Sequence, residues 1–185
     1  VQLGAGPIDA EDMQFRRVQV RGEYVPEKGL LLDNRILNGR VGYEVLTPLR
    51  LEGSAMHVLV NRGWVLAPPT RDRLPQVQTP GGVQVVEGVA VLPPEKVFEL
   101  GEGNSSGTVW QHFLMDRYVR WSGLAVQPVL VRQAGDAPDG LVREWTRPDT
   151  GVQKHRGYAM QWYLFAILTV VLYVSLNFRR RAADA

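Results

Sequence analysis

His155 is the side chain of this sequence best suited to chemistry, because its imidazole keeps a lone pair at neutral pH that the adjacent Lys154 and Arg156 lack. On a helix the spacing of three and four puts His155, Tyr158, Ala159 and Trp162 on one face. Imidazole can ligate haem iron, an aromatic wall holding a small alanine can accept a flat porphyrin, and Arg156 can answer a propionate. The same residues have a plainer duty, in which Lys154, His155 and Arg156 only anchor a helix at lipid headgroups. Spacing alone leaves both open.

The remaining reactive groups form no site. His57 falls between Met56 and Val58 and reads as a surface or edge residue of a strand, and His112 as the polar side of a helix. There are no cysteines, which excludes disulfides, thiolate metal sites and cysteine nucleophiles. No serine sits in a nucleophile elbow and no carboxylate pair forms a catalytic frame. Gly101, Gly103 and Gly107 do not make a phosphate-binding fingerprint, and the stretch 99–107 reads as a flexible loop. The sequence therefore describes a protein that is not an enzyme.

His155 sits two residues before the element that would position it. Residues 157–178 run for 22 positions without a charge. As a helix this run is about 33 Å long, against a hydrocarbon core of about 30 Å. Tyr158, Trp162 and Tyr163 gather at one end, with Tyr173 and Phe178 at the other, as interfacial aromatic belts do. The run reads as a transmembrane helix over 155–178, with a tail at 179–185. Arg179, Arg180 and Arg181 follow it, against Lys154 and Arg156 before it, which places the C-terminus in the cytoplasm and the preceding domain outside. Ala159, Ala166 and Thr169 form a small-residue face suited to contact with another helix.

Charge is distributed to match. Residues 1–153 hold 16 Lys/Arg and 18 Asp/Glu, a net of −2, whereas 154–185 hold five and one, a net of +4. The basicity belongs to the membrane flank, where anionic lipid attracts it, so the partners are membrane lipid and protein and not nucleic acid.

Ahead of the helix the periodicity is that of strands. After a small, acidic lead-in at 1–12, strands are predicted over 15–25, 29–37, 42–51, 56–66, 83–92 and 126–131. Asn38-Gly39 reads as a hairpin turn, Pro48 as an edge or bulge, Gly88 as a kink and Pro128 as a break. Val58, Val60, Arg62 and Trp64 are expected on one face, with Trp64 buried. Trp110, Phe113, Leu114, Tyr118 and Trp121 recur at three and four and predict a helix over 109–121, ended by Gly123. Four prolines mark 67–80 as an exposed loop. The fold class expected is mainly β, an antiparallel barrel-like or sandwich domain over 1–133 with one short helix, then a linker over 134–154.

In order and spacing, FRRVQVRGEY (15–24), GYEVLTPLRL (42–51), LVNRGWV (59–65) and HRGYAMQWY (155–163) resemble the Surfeit locus protein 1 family. The likeness runs from Phe15 to Phe178. It implies a membrane protein with two helices and an extracytoplasmic β domain between them, so a first helix is expected before Val1. It implies a factor that assists assembly of haem–copper cytochrome c oxidase by handling haem a, in a bacterial plasma membrane. The alternative is a non-catalytic accessory subunit held permanently on the oxidase or in a respiratory supercomplex. His155 is then the candidate ligand of the haem iron, with Arg156, Tyr158, Gln161 and Trp162 lining or bracing it. Gly42, Asn61, Arg62, Gly63 and Trp64 match the family's domain motifs and read as structural.

Overall fold

Alternation of apolar and charged residues makes β1 (Arg17–Tyr24), with Val18, Val20 and Tyr24 buried and Arg17, Gln19 and Arg21 exposed. The computed structural model describes residues 1–70, 73–94, 105–145 and 152–183, with backbone alone for 105–106, 152–157 and 174–183. Residues 1–145 and 146–185 form two units.

In the first unit, β2 (Leu30–Leu37) and β3 (Arg40–Leu51) join through Asn38 and Gly39, both left-handed at φ 50° and 75°, as the hairpin signal predicts. The turn at Gly53 leads into β4 (His57–Leu66). With β5 (Val83–Val91) and β8 (Val126–Gln133) the strands run in the order β1, β5, β8, β4, β3. The ring closes where Gly22, Glu23 and Tyr24 pair with Leu51, Arg50 and Leu49. The domain is thus a five-stranded barrel.

It is not wholly antiparallel, as the sequence led us to expect. β4 and β8 are parallel, and so are β2 and the short β7 (Val109–Trp110), which also pairs with β6 (Ser105–Ser106). Parallel neighbours need a long crossover. Here the chain after β5 supplies it through β6, β7 and α2 (Met115–Ser122) before entering β8. Helix α2 is shorter than the aromatic spacing suggests, because Trp110 belongs to β7 and donates its Nε1–H to Gly107 O. The spacing of three and four arises because strand and helix feed one cluster. Trp110 meets Trp121 and Tyr118 edge-on at 5.7 and 6.4 Å. Gly123, at φ 70°, closes the helix as predicted, and His112 lies exposed ahead of it rather than on it.

Three local expectations also change. Pro48 is neither at an edge nor in a bulge: it pairs with Leu59 of β4, on a stretch where β3 exchanges β2 for β1 as its other neighbour. Its carbonyl accepts from Val25 N–H, so the missing donor of Pro48 falls at that exchange, where little is lost. Gly88 does not kink β5. A Cβ there would come within 2.3 Å of Arg132 O, so glycine allows β8 to approach. His57 is buried, its amide and Nδ1 both against Ala125 O, because β4 is flanked on both sides. Pro128 does fall in an irregularity, where pairing shifts between His57–Val126 and Leu59–Leu130.

The barrel interior is filled by Val20, Leu49, Val58, Val60, Val86, Val129 and Val131. Leu3 and Met13 join it from the lead-in, which docks where β1 and β3 splay: Leu3 N–H donates to Gln19 O, and Asp9 caps α1 (Ala10–Met13). A second cluster lies outside the sheet, where Tyr118, Phe113 and Trp110 cover Leu30, Leu46, Leu59 and Leu130.

The second unit contains α3 (Val152–Ala183). Its described side chains, 158–173, are exposed on every face, from Tyr158 and Trp162 to Leu172 and Tyr173. Among the described residues, no helix is long and apolar enough to cross a membrane.

Candidate functional site

All five sequence-predicted site positions fall on α3. At about 100° per residue, positions 155, 158, 159 and 162 lie within roughly 100° of arc, so the helix does bring them to one face. Position 156 lies about 100° from 155 and position 161 about 120° from it, off that face. The side chains of His155 and Arg156 lie outside the described residues. Tyr158 and Trp162 are 63% and 71% exposed, and Trp162 meets Phe165 edge-on at 6.1 Å. Two exposed aromatics a turn apart beside a small alanine fit one wall of a porphyrin pocket.

A buried polar cluster lies elsewhere, on the NRGW stretch of β4. Pairing runs Leu46–Asn61 and then Val45–Gly63, so Arg62 is the extra residue of a bulge. The extra residue resets the alternation, so Trp64 pairs with Glu44 on the opposite face from Val58 and Val60. Trp64 is accordingly half-buried rather than buried. Its ring lies against Gly42, where a Cβ would come within 2.4 Å, and its Nε1–H donates to Arg35 O.

Arg62 itself is 1% exposed. It donates to Thr79 Oγ1 at 2.8 Å, Gln78 O at 2.7 Å and Asp139 Oδ2 at 3.0 Å, with its guanidinium over the Tyr24 ring at 5.2 Å. Arg143 donates to the same Asp139 oxygen. Burial drives the Tyr24 hydroxyl up to about 12, against the pull of the Arg62 and Arg143 cations and with a smaller push from Asp139. The phenol is therefore neutral, and two buried guanidiniums share one carboxylate.

The cluster is a dock for the segment 139–145. Gly63, at φ 140°, lets Leu141 and Val142 approach, and Trp64 and Val142 exchange both backbone hydrogen bonds at 2.8 Å. Trp145 Nε1–H then donates to Gln133 O, under Arg132. The sequence carried two signals of this, a glycine between arginine and tryptophan inside a strand, and an Asp–Arg pair four apart in what reads as an irregular linker. Among the described residues, the polar contacts of the dock are made within the domain, where they hold 139–145 to β4. Among the described residues no group of three or more His, Cys, Asp or Glu could hold a metal ion.

Comparison with known proteins bears on the whole chain. The SURF1 family profile matches residues 2–167. The SURF1-like protein of Monosiga brevicollis is 25% identical over 190 residues, 95% of this chain and 71% of that protein. Surfeit locus protein 1 of Xenopus tropicalis is 25% identical over 203 residues, 98% of this chain and 64% of the relative. The cytochrome oxidase assembly protein SHY1 of Saccharomyces cerevisiae is 26% identical over 148 residues, covering 76% of this chain and 37% of its own length. The chain thus spans only part of these proteins, but the match takes in the barrel, the NRGW dock and the start of α3 together. This chain belongs to the SURF1 family.

Proposed function

We propose that this protein is a membrane-anchored, non-catalytic assembly factor for haem–copper cytochrome c oxidase that assists delivery or insertion of haem a. The observation that carries the reading is the family match over residues 2–167, joined by similarity to a relative named for oxidase assembly. The anchor is α3: its side chains are described only over 158–173, where they are exposed on every face, but the whole charge-free run of 22 residues has the length of a hydrocarbon core. The barrel lies on the extracytoplasmic side, with Arg179, Arg180 and Arg181 in the cytoplasm.

His155 is the proposed ligand of the haem iron, Tyr158 and Trp162 the aromatic wall, and Arg156 the partner of a propionate; Gln161 flanks this face rather than joining it. Haem supplies an iron that accepts an imidazole nitrogen and a macrocycle that needs an apolar wall. The chain supplies both at the depth where a membrane meets water. The test is haem absorption of the protein purified from cells that make haem a. His155→Ala should lose it while keeping membrane insertion and the domain's melting temperature. If wild type carries no haem, or the variant carries as much, the haem assignment fails. Stoichiometric co-purification with active oxidase would then favour a permanent accessory subunit.

A further inference from the structure

We infer that the outer face of β1 and β5, with Arg17, Val83, Val85 and Val89, docks on the phosphate-bearing surface of the lipid bilayer. The inference rests on the reading that α3 spans that bilayer. On other strands the outer side of the barrel is covered, since Leu46, Leu59 and Leu130 of β3, β4 and β8 lie beneath Trp110, Phe113 and Tyr118. On β1 and β5 it is open. Arg17, Gln19, Arg21 and Glu23 point outward from β1, opposite Val89, Glu87, Val85 and Val83 of β5. Val83 and Val85 are 52 and 54% exposed, where the solvent side of a sheet ordinarily carries polar residues.

Charge and chain path select the occupant. Arg21 is paired with Glu52 and Glu23 with Arg50, so these four charges cancel. Glu87 accepts from Gln19 Nε2 at 3.0 Å. Arg17 and Arg132 stand on either side of Val89, and among the described residues neither has a carboxylate partner. A groove of about 450 Å³ opens there, bordered by Arg17, Gln19, Glu87, Val89 and Ala134, with room for a headgroup whose phosphate Arg17 answers. The chain also leaves the barrel at this face. Trp145 donates to Gln133 O beneath Arg132, and Gln133 pairs with Gly88 of β5. Six residues, 146–151, then precede α3, a tether of at most about 25 Å. The bilayer surface is thus the partner that the chain itself keeps within reach of this face. A helix ahead of Val1 would run inside the bilayer and could not cover a face outside it.

The chain has no cysteine, so single cysteines can carry a fluorophore without competition. The full chain, one copy per lipid nanodisc, is labelled in turn as Val83→Cys, Val85→Cys, Ile36→Cys and His112→Cys, all at exposed positions. The discs contain phosphatidylethanolamine, phosphatidylglycerol and a lipid with a spin-labelled headgroup as quencher. Quenching should be strong at 83 and 85 and weak at 36 and 112. Arg17→Gln should lower the ratio of docked to free barrel about fivefold, the effect of one basic residue near an anionic surface. Equal quenching at all four positions, stronger quenching at 36 or 112, or indifference to Arg17→Gln would each overturn the inference. Leu168→Cys with a quencher on the acyl chain separates causes. Without quenching at 168 the membrane reading falls and takes this face with it, whereas quenching at 168 but not at 83 and 85 brings down this face alone.

Discussion

Tyr24 ties the barrel's stability to pH through one hydroxyl. It is 7% exposed, stacked beneath Arg62, and its ionisation is raised to about 12 chiefly by burial. An unfolded tyrosine loses its proton near about 10. Between those values the unfolded chain binds fewer protons than the folded one, so the stability Tyr24 contributes is complete below about pH 10 and is lost as pH rises towards 12. Tyr118 is shifted upward as well, again mainly by burial, and adds to the same alkaline loss. In urea titrations from pH 9 to 12, Tyr24→Phe should lose about 2–3 kcal/mol less than wild type. Parallel curves for the two proteins would show that the phenol is not held neutral. At this scale the sequence was least legible. Arg62 could be read as a motif residue, but nothing local shows that its carboxylate lies 77 positions away at Asp139.

Among the elements, β4 shows where periodicity informs and where it misleads. Alternation found the strand and its hairpin with β3, and the turn at Asn38-Gly39 set the register of β2 and β3. One inserted residue then moved Trp64 to the other face, and a bulge leaves no trace in a pattern of apolar residues. The aromatic spacing likewise found a cluster but could not separate the strand that supplies Trp110 from the helix that supplies Tyr118. Gly63 is the residue on which the bulge depends. Its φ of 140° is a conformation that side chains rarely adopt, and a Cβ would meet Leu141 Cβ and Val142 O at 2.9 Å. Gly63→Ala should therefore cost about 2–3 kcal/mol and loosen 139–145 before the barrel itself. Hydrogen exchange reads this directly, because the Val142 amide is bonded to Trp64 O. It should exchange faster in the variant while the amides of Val58 and Val60 stay protected, and an unchanged Val142 would contradict the account.

For the whole molecule, the charge-free run of α3 was plain from its composition, whereas the domain's C-terminal segment was not, since its contacts are few, specific and distant. Those contacts give a prediction that two truncations decide. A chain ending at Trp145 keeps every described contact of the first unit and should fold on its own with a cooperative melt. A chain ending at Gln133 keeps all five barrel strands. It removes Leu141 from the core, both Val142–Trp64 hydrogen bonds, and Asp139, the only carboxylate bonded to Arg62 among the described residues. Breaking a buried ion pair by deleting one partner costs about 3–5 kcal/mol, because the remaining charge stays out of water. That is a large share of the roughly 5–15 kcal/mol that holds a domain together. Removing Arg143 with Asp139 reduces the buried charge but leaves Arg62 with only the neutral acceptors Thr79 and Gln78. The shorter chain should melt at much lower temperature or without cooperativity, and Arg62→Met in that background should recover part of the loss, because it removes the stranded cation. Equal melting temperatures for the two truncations would mean that 139–145 only lies on the barrel, and that the NRGW bulge serves something other than holding it.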